Sequence, residues 1–198
     1  MGMIMAGGRG TRMGHTEKLL LGGTPMVLRV LDALKQSGCF GGIAAAISPN
    51  APDTALLLEE RGVRVIETGG SGYPQDLNRA LSDLEGTVMA VPGDLPLLDA
   101  QVIRVLVDRC RQGDSWTSFV VSEGFLCTMG LRGGYYTEYN GKRCAYTGVS
   151  VVDAGKAGPL QEIGERLEMV NDPRIAFNVN TVQEYRIYES MRSGTRTF

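Results

Sequence analysis

Short apolar runs alternate along this chain with stretches whose apolar residues recur every three or four positions, the pattern of strands interleaved with amphipathic helices. The runs predict strands over residues 1–6, 43–47, 63–67, 87–91 and 118–121. Between them, helices are predicted from Val27, Val30, Leu31 and Leu34, from Leu77, Ala80, Leu81 and Leu84, and from Val102, Leu106 and Cys110. Thr24-Pro25 suits a helix start and Gly38 a helix end. From residue 122 to 146 the pattern turns aromatic and glycine-rich, and Asn140-Gly141 is a hairpin signal. Val149-Ser150-Val151-Val152 then returns to the sheet. Leu160, Ile163, Leu167 and Val170 predict another helix, residues 175–178 a last strand, and Thr181-Val182-Gln183-Glu184 a capping box that opens the final helix. The alternation implies an α/β fold, a mostly parallel central sheet covered on both faces, with a hairpin insertion at residues 122–148.

Length and charge narrow the picture. At 198 residues and 43% hydrophobic, the chain fits one domain, 1–198, with bulk enough for a real core. A net charge of −2 and no basic stripe argue against nucleic acid as a partner. No apolar run approaches the roughly 18 residues of a membrane span, and strand-like sequence at the amino terminus leaves no room for a signal peptide, so a cytoplasmic location is expected. Cys39, Cys110, Cys127 and Cys144 form no Cys-x-x-Cys pair and read as plain thiols. His15 is the lone histidine, which excludes multi-histidine metal sites.

The chemistry concentrates at the ends of the predicted strands, the edge where open α/β sheets bind ligands. After the first comes Ala6-Gly7-Gly8-Arg9-Gly10-Thr11-Arg12-Met13-Gly14, then Lys18. Its glycines can bring bare N–H groups up to phosphate oxygens, Thr11 can add a hydroxyl, and Arg9, Arg12 and Lys18 supply cations. It is neither a Walker loop, which closes on Gly-Lys-Ser/Thr, nor a dinucleotide fingerprint, whose third glycine is absent. After the second strand comes Ser48-Pro49-Asn50-Ala51-Pro52, and after the third Thr68-Gly69-Gly70-Ser71-Gly72-Tyr73-Pro74, with Asp76 and Asn78 in the following helix. Together these loops can hold the donors and acceptors a purine base needs. After the fourth, Asp94 stands between Pro92 and Pro96, either as a helix cap or, beside a triphosphate, as a ligand for Mg²⁺. Asn178 and Asn180 can orient phosphate or metal-bound water, or simply start the last helix.

The Gly-Gly-x-Gly-Thr-Arg-Met loop, residues 92–97 and Phe177-Asn178-Val179-Asn180-Thr181 resemble the hallmarks of single-domain nucleotidyltransferases, and the resemblance spans nearly the whole chain. Two guanylyltransferase families are similar. The enzymes that make molybdopterin guanine dinucleotide resemble it in residues 6–18, 65–81 and 178–181. The archaeal GTP:adenosylcobinamide-phosphate guanylyltransferases look more like it, through Ser48-Pro49-Asn50-Ala51-Pro52, Gly72-Tyr73, Asp76-Leu77-Asn78, Gly148-Val149-Ser150-Val151-Val152 and residues 177–181.

This resemblance implies a Rossmann-like three-layer nucleotidyltransferase fold, GTP and a phosphorylated corrinoid acceptor as partners, Mg²⁺ as cofactor, and a homodimer. It implies that Ala6, Gly7, Gly8, Arg9, Gly10 and Thr11 cradle the phosphates and that Ser48, Asn50, Thr68 and Asn78 recognise guanosine. Arg12 and Lys18, both expected to be exposed, are the implied catalytic cations. Asp94 and Asn180 are the implied metal ligands, with Asn180 standing where relatives carry a second acid. Gly148 would permit close approach of the acceptor. Phe125, Tyr135, Tyr136, Tyr139 and Tyr146 can form an acceptor-docking wall, or equally a dimer surface or core flap. The rival readings are another acceptor, such as molybdopterin or a sugar or polyol phosphate, and a GTP-binding module without catalysis.

Overall fold

The computed structural model of the chain describes residues 1–14, 17–157 and 164–194. Strand β1 (Gly2–Met5) runs parallel between β2 (Ile43–Ile47) and β4 (Thr87–Pro92), and β2 pairs in parallel with β3 (Arg64–Glu67). The sheet continues from β4 through β7 (Lys142–Asp153) to β5 (Trp116–Ser122) and β8 (Glu165–Met169), in the order β3-β2-β1-β4-β7-β5-β8. Only β7 opposes this direction along that path, and β6 (Tyr136–Tyr139) forms the expected hairpin with its first half across Asn140-Gly141.

Two helical layers enclose the sheet unequally. On one face, α1 (Met26–Ser37), α2 (Pro52–Glu59) and α4 (Ala100–Arg109) bury Val27, Leu31, Leu58, Val102 and Leu106 against Ile4, Ala45, Val91 and Phe119. On the other, α3 (Tyr73–Leu81) packs Leu77, Ala80 and Leu81 on Met3, Ala44, Val88 and Ala90. Complete burial of each leucine contributes about 1.5–3 kcal/mol. A third cluster joins α5 (Glu123–Thr128) and α7 (Val182–Arg192) to Val121, Ala145 and Phe177. Past α3, the sheet runs on through β7, β5 and β8, and side chains of those strands line a broad cleft.

The structure departs from the sequence reading in four places. Helix α2 begins at Pro52, with Asp53 in its first turn, yet Ala51 gives it no side-chain cap. Its cap comes from the glycine-loop segment: the Glu17 carboxylate accepts from the amides of Asp53 and Thr54 at 3.0 and 3.2 Å and from the Thr54 hydroxyl. No local pattern announces a cap supplied from 36 residues away. Short α5 interrupts the aromatic segment, capped by Ser122. The helix predicted from Leu160, Ile163, Leu167 and Val170 is not one: residues 165–169 form β8, where pairing with β5 overrides the helical spacing. Leu160 and Ile163 lie outside the described residues. The strand predicted at 175–178 is replaced by α6 (Pro173–Ala176), started by the Asp172 side chain accepting from the Arg174 amide and by Pro173 at its first position. The capping box on α7 forms as read, Thr181 and Glu184 reciprocating. Among the described residues no helix is long and apolar enough to cross a membrane.

Candidate active site

The carboxyl ends of β1, β2, β3 and β4 converge on one cleft of about 1110 Å³. At its head stands the glycine loop, whose three glycines meet different local demands. A Cβ on Gly7 would lie 2.8 Å from the Ser48 amide nitrogen, so this glycine lets the loop lie against the end of β2. Gly10 has φ +60°, a left-handed conformation that disfavours any side chain. Gly8 has neither constraint, and nothing lies within 4 Å of where its Cβ would stand. The space over its backbone is open cleft. Gly10 starts a tight turn, Thr11–Met13, whose Met13 is buried in the third cluster. That anchor leaves Thr11 and Arg12 on the cleft wall beside Arg9.

Five side chains from three distant segments form a polar knot beneath the loop. Lys18 is 9% exposed rather than a surface cation, and its ammonium spends all three protons: on Asp94 Oδ2 at 2.7 Å, the Val179 carbonyl at 3.0 Å and Asn180 Oδ1 at 3.1 Å. Burial follows from position, since Leu19 beside it is fixed in the core. Asp94 accepts a further bond from Asn178 Nδ2 at 2.9 Å. Exposed Arg12 donates to Asn180 Oδ1 at 3.0 Å. One amide oxygen thus aligns both cations. Asn178 was noticed in the sequence but given no definite role there.

The loops after β2 and β3 divide into wall and support. Asn78 lines the cleft, whereas Ala6, Ser48, Asn50 and Thr68 do not reach its surface. Ser48 donates to the Gly7 carbonyl at 2.6 Å and accepts from Asn50 Nδ2 at 3.0 Å, bracing the glycine loop. The Thr68 hydroxyl oxygen is buried without a partner. Asp76, which the sequence reading did not select as a site residue, is buried and accepts from the amides of Gly70 and Ser71 at 2.9 and 3.3 Å. Gly70 suits that turn, with φ +67° and a Cβ position 2.7 Å from Asn50 Nδ2.

Gly148 lies on the cleft wall, and packing alone already requires it to lack a side chain. Its φ is +81°, and a Cβ would meet Pro92 Cγ at 2.6 Å. Its carbonyl accepts from the Tyr73 hydroxyl at 2.5 Å. Burial of that hydroxyl, with the Asp94 charge adding to it, pushes the Tyr73 pKa far up, while the ring remains on the surface. Of the aromatic segment, Tyr135 and Tyr146 face the cleft. Phe125 and Tyr136 pack against the third cluster instead, and Tyr139 is not on the cleft wall. The chain's one tryptophan, Trp116, is on that wall with Ser118 and Glu165, residues that no motif in the sequence singled out.

One carboxylate beside open cleft and a glycine loop suits Mg²⁺, which takes one or two protein carboxylates together with substrate phosphates and water. Asp94 meets that description. Asn180 offers its oxygen to Arg12 and Lys18 instead. No group of three or more acidic, histidine or cysteine side chains placed to hold a metal ion occurs among the described residues. His15 lies outside them.

Comparison with known proteins agrees with this geometry. Adenosylcobinamide-phosphate guanylyltransferase of Methanocaldococcus jannaschii is 31% identical over 196 residues, covering 96% of this chain and 95% of that protein. Molybdenum cofactor guanylyltransferase of Cupriavidus pinatubonensis is 35% identical over 109 residues, 52% of this chain and 51% of that one. A hypothetical transferase structure from Thermus thermophilus superposes with a TM-score of 0.68 over 92% of this chain and 97% of that one at 18% identity, a likeness of fold. The model of the MobA-like NTP transferase domain matches residues 2–145, and with a relative aligned over almost its full length, this chain belongs to the MobA-like NTP transferase family.

Proposed function

We propose that this nucleotidyltransferase moves GMP from GTP to the phosphate of adenosylcobinamide phosphate, giving adenosylcobinamide-GDP and pyrophosphate. The observation that carries the reading is the alignment with the Methanocaldococcus jannaschii guanylyltransferase, which extends through β7, β8 and the Asn178–Asn180 segment. Similarity to the molybdenum cofactor enzyme covers about half of the chain, so molybdopterin is the second acceptor to test.

In this reading the acceptor phosphate, an oxyanion at neutral pH, attacks the α-phosphorus of GTP as the bond to the bridging oxygen of the β-phosphate breaks. No general base is required. The protein's work is positioning and charge stabilisation. Amides of Gly7, Gly8 and Gly10 with Thr11 cradle the phosphates, joined by Arg9. Arg12 and Lys18 stabilise the α-phosphoryl group and the departing pyrophosphate, with Asn180 aligning both. Asp94 would hold Mg²⁺, which neutralises phosphate charge when bound. Lys18 occupies Asp94 Oδ2 beforehand and exchanges that carboxylate for phosphate oxygens as the nucleotide arrives. Asn78 and the Gly70–Asp76 loop face the nucleoside, while Ser48, Asn50 and Thr68 support that wall from behind.

The test is incubation of the purified chain with each of the four nucleoside triphosphates, labelled at the α-phosphate, and each acceptor in turn. Label entering adenosylcobinamide phosphate from GTP is the expected result. Transfer from CTP or UTP alone would overturn the guanine assignment, and transfer only to molybdopterin would replace the acceptor.

A further inference from the structure

The cleft does not stop at the nucleotide loops. From Pro92 down β4 to Val88 is four residues, about 13 Å at a strand's rise. Val88 pairs with Val152, Val152 with Trp116, and Trp116 with Glu165. Three strand spacings of about 4.8 Å each then place Glu165 on the order of 20 Å from Pro92. At about 1110 Å³ the cleft is at the upper end of ordinary ligand pockets, and its lining reaches from the glycine loop to Glu165.

The far end is a built site. Trp116 Nε1 donates to Ser118 Oγ at 2.9 Å, Ser118 Oγ donates to Glu165 Oε1 at 2.6 Å, and the Tyr146 hydroxyl donates to Glu165 Oε2 at 3.0 Å. Ser118 is 5% exposed and holds the buried end of this network, while the Glu165 carboxylate reaches the exposed side of the cleft. Burial and the hydrogen bond to Glu165 push the Tyr146 pKa up, keeping its phenol a donor. Among the described residues, Glu165 finds neutral hydroxyls and no cation for partners. An ionised carboxylate has about four acceptor positions, so two remain for a ligand. Trp116 and Tyr146 offer apolar ring surface beside it, and Tyr135, 81% exposed, also lines the cleft.

We infer that this patch of Trp116, Ser118, Tyr146 and Glu165 seats the body of the acceptor: a flat, largely apolar framework carrying neutral N–H donors such as carboxamides. The inference rests on the guanylyltransferase reading above. Polarity of the cleft sets the orientation, because Glu165 repels the acceptor's phosphate while Arg12 and Lys18 attract it. The donor-bearing edge sits on Glu165 and the phosphate points back to the glycine loop.

Steady-state kinetics with Mg-GTP and adenosylcobinamide phosphate, on wild type, Glu165→Gln and Tyr146→Phe, test the inference. Loss of a hydrogen bond to a charged group predicts an acceptor KM raised about tenfold or more in Glu165→Gln, with the GTP KM within about twofold of wild type. As the sole tryptophan, Trp116 reports directly: its emission changes on titration with adenosylcobinamide phosphate without GTP, and the midpoint moves to higher concentration in Glu165→Gln. An acceptor KM unchanged in both variants, or emission unmoved at saturating acceptor in an enzyme that transfers label, overturns the subsite alone. No transfer by wild type overturns the functional reading beneath it.

Discussion

Replacing Gly8 with alanine separates ligand space from folding. Nothing lies within 4 Å of the new methyl group, so the folded chain accommodates it, and stability stays within about 1 kcal/mol of wild type or rises as the unfolded chain loses freedom. Gly7→Ala and Gly10→Ala are the controls. The first forces a carbon to 2.8 Å from the Ser48 amide, an overpacking worth about 1–3 kcal/mol. The second places alanine at φ +60°, costing about 1–2 kcal/mol. At about 2–4 °C per kcal/mol for a chain of this size, the controls lose several degrees of Tm while Gly8→Ala loses almost none. Affinity runs the other way, because the methyl group occupies the approach to a backbone amide proposed to meet phosphate. Loss of one hydrogen bond to a charged group, about 1.5–3 kcal/mol, weakens Mg-GTP binding about ten- to hundredfold. Thermal unfolding and isothermal titration calorimetry measure both. Gly8→Ala with a Tm several degrees lower, or with an unchanged Kd for Mg-GTP, would refute the reasoning.

Arg12→Ala and Lys18→Ala should part company. Arg12 is exposed with one bond among the described residues, so its loss lowers turnover about a hundredfold or more while Tm barely moves. Lys18→Ala strands Asp94 in a partly buried site and costs about 3 kcal/mol of stability as well, and equal Tm values for the two variants would contradict the burial argument. Gly148→Ala destabilises through strain and the clash with Pro92. Pro92→Ala added to it recovers part of the loss in chemical denaturation, whereas strictly additive losses would exclude the clash. In acid, burial works against ionisation of Asp99 and Asp172, yet hydrogen bonds from Arg174 and from backbone amides hold both below the ordinary carboxylate range. Their stabilisation is therefore complete above the unfolded value near pH 3.9 and is lost as pH falls through the lower folded values. Arg174→Gln should flatten that acid limb in urea titrations from pH 5 to 2, and an unchanged limb would assign acid unfolding to other groups.

The sequence revealed the parts of the fold that rest on local rules. Apolar runs located β1 to β5, Asn140-Gly141 located the β6–β7 turn, and Thr181 with Glu184 located the start of α7. What escaped depends on pairing across the chain. Leu167 keeps helical spacing with its neighbours but is claimed by β5, and α2 takes its cap from Glu17. The site divides the same way. Glycines and cations near β1 declare themselves by composition, and Asp94 by its prolines. The burial of Lys18 and its pairing with Asp94 could not be read from the sequence, because 76 residues separate them. Gly148 was picked out for close approach of an acceptor, while the packing demand that also requires a glycine there comes from Pro92 on another strand. Trp116 lies just before the predicted fifth strand, Ser118 at its start and Glu165 in a stretch read as helix, so nothing groups them until the β5–β8 pairing sets Trp116 beside Glu165.

The position of bond breakage tests the account most directly. Parallel single-turnover reactions with adenosylcobinamide phosphate should carry label from α-labelled GTP into the corrinoid product and label from γ-labelled GTP into pyrophosphate. Release of the γ-label as inorganic phosphate, or its appearance on the acceptor, would contradict attack at the α-phosphorus.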